Sequence, residues 1–70
     1  MKMASDQWKE QLMLDGLDRV AEAGRFLNIS RSRTYELMDS GELPFVKIGR
    51  SRRIPRRALI EFAARSLHAE

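Results

Sequence analysis

The stretch Leu27-Asn28-Ile29-Ser30-Arg31-Ser32-Arg33-Thr34-Tyr35 decides how this chain folds. Leu27 closes a helical pattern, because Val20, Ala23, Gly24 and Leu27 fall at i, i+3, i+4 and i+7 and share one face. Asn28 tolerates the left-handed backbone that ends a helix. Ile29 covers the joint, and Ser30 has the side chain to cap a second helix, Arg31 to Ser40, which Gly41 ends. Two short helices joined by so tight a turn form a helix-turn-helix.

Working toward the N-terminus, the first helix is expected over residues 19–27, with Asp18 as its N-cap. Gly24 costs about 1 kcal/mol of helix propensity against Ala, but on the apolar face it lets another helix come close. Residues 1–16 form a separate accessory segment. Ser5 can cap a short helix there, Trp8 and Leu12 stand one turn apart, and Gly16 interrupts the pattern. The domain proper is expected over 17–70.

Working toward the C-terminus, Thr34, Leu37 and Met38 cluster on one side of the second helix. Ser32, Tyr35, Glu36 and Asp39 point the other way, flanked by Arg31 and Arg33. Leu43 to Gly49 alternates in the manner of a half-buried strand. Gly49-Arg50-Ser51-Arg52 makes a turn, and Arg53-Ile54 starts the return. Val46, Ile48 and Ile54 are expected on the inner face. Pro55 suits the first position of a third helix, whose apolar stripe is Ala58, Leu59, Phe62 and Ala63. The expected fold is mainly α with a small β-hairpin, a winged helix-turn-helix with a possible extra N-terminal helix.

Seventy residues allow one domain with a thin core and little room for a buried substrate pocket. Cysteine is absent, which fits a reducing cytosol. No stretch reaches the ~20 apolar residues that span a bilayer, and no apolar run follows Lys2 as in a signal peptide. The formal charge of +3 is unevenly spread: residues 1–24 carry −2 and residues 25–70 carry +5. Residues 43–57 hold six basic side chains and no acidic one, a patch that attracts a polyanion. Nine of the ten basic residues after position 24 are Arg, which suits bidentate contact with phosphate or guanine.

The candidate DNA contacts follow from these faces. In the second helix they are Arg31, Ser32, Arg33, Tyr35 and Glu36, and in the hairpin Lys47, Arg50, Ser51, Arg52 and Arg53. Arg50, Arg52 and Arg53, crowded at the tip, are assigned to a groove and its flanking phosphates, which relieve their mutual repulsion. Glu36 either accepts a hydrogen bond from cytosine N4 or pairs with Arg31 or Arg33. The one histidine, His68, has no catalytic partner, and no phosphate loop, metal-ligand cluster or nucleophile arrangement is present, so neither an enzyme nor a cofactor is expected. Single-strand binding would want more exposed aromatics than Tyr35, Phe45 and Trp8.

Residues 20–62 resemble the excisionase family, small winged-helix relatives of the MerR-type DNA-binding domain. The resemblance is carried by Val20-Ala21-Glu22-Ala23, Leu27 through Tyr35, Gly41-Glu42-Leu43-Pro44, Lys47-Ile48-Gly49-Arg50, and Arg53-Ile54-Pro55-Arg56 with Ala58-Leu59 and Phe62. The chain departs from the pattern at Arg19, where the family usually has Thr or Ser as the cap. The resemblance implies the second helix in the major groove and the wing in the adjacent minor groove. Ser30, Arg31, Ser32 and Tyr35, with Lys47, Arg50 and Arg53, match its contact positions. It further implies cooperative binding and bending of attachment-site DNA in the host bacterial cytoplasm. The partner would be an integrase, a tyrosine or serine recombinase, turned toward excision. A small MerR-like transcriptional regulator without an effector domain is the alternative. Self-association through Trp8 and Leu12 is expected, since one module contacts little DNA.

Overall fold

The computed structural model describes residues 9–68. Ser5 and Trp8, with the N-terminal cap and contact expected of them, lie outside the described residues. Residues 9–12 are helical, followed by a turn to Gly16. Six elements follow: β1 (Leu17–Arg19), α1 (Val20–Leu27), α2 (Arg31–Asp39), β2 (Val46–Ile48), β3 (Ser51–Pro55) and α3 (Arg56–Arg65). The strands form one antiparallel sheet in the order β1-β3-β2. The core between sheet and helices is Val20, Ala23, Leu37, Met38, Leu43, Ile54, Ala58 and Leu59, and Thr34 is fully buried beside it.

The turn between α1 and α2 forms as its residues dictate. Asn28 takes φ +58 and Ile29 N–H donates to Gly24 O at 2.9 Å. Ser30 Oγ accepts from Arg33 N–H at 3.0 Å and caps α2. Gly24 is the point of closest approach, since a Cβ there would lie 3.1 Å from Thr34 Oγ1 and 3.2 Å from Ile29 O. Beyond α2, Gly41 takes φ +85, and the Glu42 and Leu43 N–H groups both donate to Leu37 O.

The entry to α1 differs from expectation. Asp18 is not the N-cap but the middle of β1, a strand the sequence did not announce. Its carboxylate is buried against Arg56: Nη2 donates to Oδ1 at 3.0 Å, and Nε lies 2.9 Å from Oδ2, off the hydrogen-bonding angle. The cap position belongs to Arg19, whose N–H donates to Glu22 Oε1 at 2.7 Å. That is the backward half of a capping box. The same bond holds the Glu22 carboxyl below the usual carboxylate range.

The hairpin also differs. Ile48 pairs with Ser51, so the loop is only Gly49-Arg50. With φ +62 at Gly49 alone, it has the form of a type II′ turn. Directly opposed residues share a face and successive residues alternate. Val46, Arg53 and Arg19 therefore lie on one face, while Ile54 and Asp18 lie on the other. Ile54 is in the core, Val46 is half-buried on the opposite side, and Ile48 is 57% exposed, so the three do not form a common inner face.

Smaller corrections concern the C-terminal half and the leader. Pro55 ends β3 and precedes α3, whose first N–H, from Arg56, donates to Gly16 O at 2.9 Å. Ala63 is exposed rather than part of the α3 stripe. Leu12 is half-buried against the chain's own core, and with Met13 it borders an apolar groove completed by Pro44, Phe45, Val46 and Pro55.

Candidate DNA interface

Helix α2 buries Thr34, Leu37 and Met38, which turns Ser32, Glu36 and Asp39 to solvent. Arg31 and Tyr35 flank that face on the side of the wing, and Arg33 flanks it on the other. The wing is the β2–β3 hairpin. Between α2, the wing and the start of α1 lies an open cleft of about 620 Å³. It is lined by Arg19, Val20 and Ala21, by Arg31 and Tyr35, and by Lys47, Arg50, Ser51, Arg52 and Arg53. Seven of the eleven candidate residues thus meet in one place. Ser30, Ser32, Arg33 and Glu36 lie outside the cleft, exposed on α2. Ser30 is engaged as the cap, and Glu36 Oε1 accepts from Arg33 Nη1 at 3.1 Å.

The six cations of residues 43–57 separate into two groups. Arg56 is paired with Asp18 and lies over the Phe26 ring, and Arg57 Nε donates to Asp15 Oδ2 at 3.1 Å. Arg56 ties α3 to β1 and Arg57 ties it to the segment before β1, and neither lines the cleft described above. Arg52 is paired with Asp39. Among the described residues, Lys47, Arg50 and Arg53 make no ion pair with a carboxylate. The patch read from sequence as one uniform charge is therefore smaller, and its unpaired part is at the cleft.

Arg19 was missed as a candidate. It stands opposite Arg53 across β1 and β3, and both line the cleft. Like charges directly opposed on a sheet repel, and an anion between them relieves that repulsion. The signal was present at a position where a small hydroxyl residue was expected: an Arg cannot serve as a side-chain acceptor there.

The model of the family described as "Helix-turn-helix domain" matches residues 19–66, the span from the end of β1 past the end of α3. The chain belongs to the helix-turn-helix domain family. Members of this broad class bind DNA through the second helix of the motif, which here is α2. Outside the family model, this helix-turn-helix chain is 52% identical over 46 residues to a protein of Saccharopolyspora erythraea named "Probable excisionase"; the match covers 66% of the chain and 47% of that protein. It is 46% identical over 41 residues to the "Putative antitoxin VapB50" of Mycobacterium tuberculosis, covering 59% of the chain and 32% of that protein. The chain thus spans about half the length of the first relative and a third of the second. No solved structure matches. Among the described residues, no helix is long and apolar enough to cross a membrane.

Proposed function

We propose that this helix-turn-helix protein binds double-stranded DNA sequence-selectively as an excisionase. In this reading α2 enters the major groove and the wing lies over the adjacent minor groove. The observation that carries it is the cleft between them, lined by six cations of which, among the described residues, only Arg52 has a carboxylate partner. Such a channel suits one phosphodiester strand passing from groove to groove. Phosphate contacts from Arg19, Lys47, Arg50 and Arg53 supply affinity. Base contacts from Ser32, Arg33 and Glu36 on the exposed face of α2 supply selectivity. Arg31 and Tyr35, at the border, contact the strand in the cleft.

The excisionase role is favoured by the relative that carries that name and by the absence of any catalytic arrangement in the sequence. An excisionase reshapes attachment-site DNA and so turns an integrase, a tyrosine or serine recombinase, toward excision. Ile48 supports a bending role, because an exposed apolar side chain beside the wing turn can wedge between base steps from the minor groove. Copies bound side by side on neighbouring sites would make up for the small footprint of one module. The site of action is the cytoplasm, on DNA.

The antitoxin relative favours a second reading, a small MerR-like DNA-binding regulator using the same surface. An excision assay with the integrase encoded nearest the gene separates the two. Excisive recombination that depends on added protein supports the excisionase. Recombination unaffected by it, with repression of a neighbouring promoter, supports the regulator.

A further inference from the structure

We infer that Arg52 is a strut between the wing and α2 and sets the angle at which the wing meets DNA, instead of contacting DNA itself. The inference rests on the DNA-binding reading above. Sequence placed Arg52 with Arg50 and Arg53 as a groove contact. Its guanidinium instead lies 4.6 Å from the centre of the Phe45 ring and 5.3 Å from that of Tyr35. Its Nη1 donates to Asp39 Oδ1 at 3.1 Å. The side chain is 28% exposed, whereas Arg50 at the turn is open to solvent.

Position along the hairpin explains why such a strut matters. The base of the wing is fixed by Ile54 in the core and by pairing with β1. The outer pairs, Lys47–Arg52 and Ile48–Ser51, extend beyond that support. Among the described residues, the Arg52–Asp39 pair is the one hydrogen bond joining the hairpin to α2. Arg suits the task, because a flat guanidinium stacks on rings and donates in plane at once, and an ammonium does not. Arg31 lies over the same Tyr35 ring at 5.7 Å, so the strut ends on a residue bordering the cleft. A phosphate contact by Arg52 would require leaving two rings and a carboxylate.

The test uses the full chain and a short fluorescein-labelled duplex of mixed sequence, with affinity measured by anisotropy over a range of KCl. Backbone order at Gly49 and Arg50 is measured in the free protein by ¹⁵N–¹H NOE. R52K keeps the charge and loses the flat contact. It is expected to bind roughly three- to tenfold more weakly with an unchanged salt slope, since the same phosphates are reached once bound, and to show lower order at the turn. D39N is expected to weaken binding, although removing an anion beside DNA should by charge alone strengthen it. Tighter binding by D39N, an R52A salt slope shallower by about 0.9, or full affinity in R52K overturns the strut. A wild-type chain with no salt-dependent duplex binding refutes the DNA reading instead. In that event the NOE of free R52K still decides, and unchanged order at Gly49 and Arg50 overturns the strut.

Discussion

Replacing Gly24 with Ala sets two effects of known size against each other. In an open helix the change would stabilise by about 1 kcal/mol, the difference in helix propensity. Here the added Cβ would stand 3.1 Å from Thr34 Oγ1 and 3.2 Å from Ile29 O. Neither neighbour is free to yield. Thr34 is fully buried and its Oγ1 donates to Ser30 O at 2.9 Å. The Ile29 peptide belongs to the turn anchored by its own N–H on Gly24 O. Overpacking of this kind costs about 1–3 kcal/mol, so the net expectation is destabilisation on the order of 1 kcal/mol. For a domain of this size that lowers Tm by roughly 4–8 °C. Thermal unfolding followed by circular dichroism measures it, and Ala64→Gly on the exposed face of α3 measures propensity alone. A G24A protein as stable as wild type, or more so, would refute the claim that glycine is required for the approach of α2 to α1.

Three other predictions concern charge. Arg50→Ala should weaken binding to every duplex sequence and make the salt slope shallower by about 0.9, read by anisotropy titration; loss confined to one sequence would mark Arg50 as a base contact. Glu36→Gln should change preference at one base position in a selection from random duplexes, because Glu36 and its partner Arg33 both lie on the exposed face of α2. An equal loss on all sequences would assign the pair a structural role. Glu22→Gln should lower Tm at neutral pH by weakening the cap on α1. The folded carboxyl titrates below its ordinary value of 4.5, so its contribution is present above that pH and fades as pH falls through the lowered value. The Tm difference between wild type and E22Q should accordingly shrink in acid, and a pH-independent difference would dismiss the cap.

The helix-turn-helix was legible in the sequence because its determinants are local. Asn28, Ser30 and Gly41 act within one turn of chain, and each took the conformation its chemistry favours. The sheet was less legible because pairing sets its register. A three-residue strand such as β1 has no pattern of its own and exists through β3. Ile48 pairs with Ser51, and Ile54 lies an odd three positions further along β3, so the alternation of the strand puts the two on opposite faces. The charges were read correctly in number and wrongly in availability. Arg56 and Arg57 find Asp18 and Asp15 some forty positions away, and a linear count of a basic run cannot register such partners. Arg19 was hidden for the converse reason, since its neighbour Arg53 is brought beside it only by the sheet.

The most direct test of the central claim, that the cleft between α2 and the wing holds DNA, is a titration of the ¹⁵N-labelled chain with a duplex carrying its selected site, followed by amide chemical shift. The largest changes are expected at Arg19, Arg31, Tyr35, Lys47, Arg50 and Arg53, with little change in the helical turn at residues 9–12 or along α3. Changes concentrated on α3 or the apolar groove behind the wing, with the cleft residues unmoved, would contradict that claim.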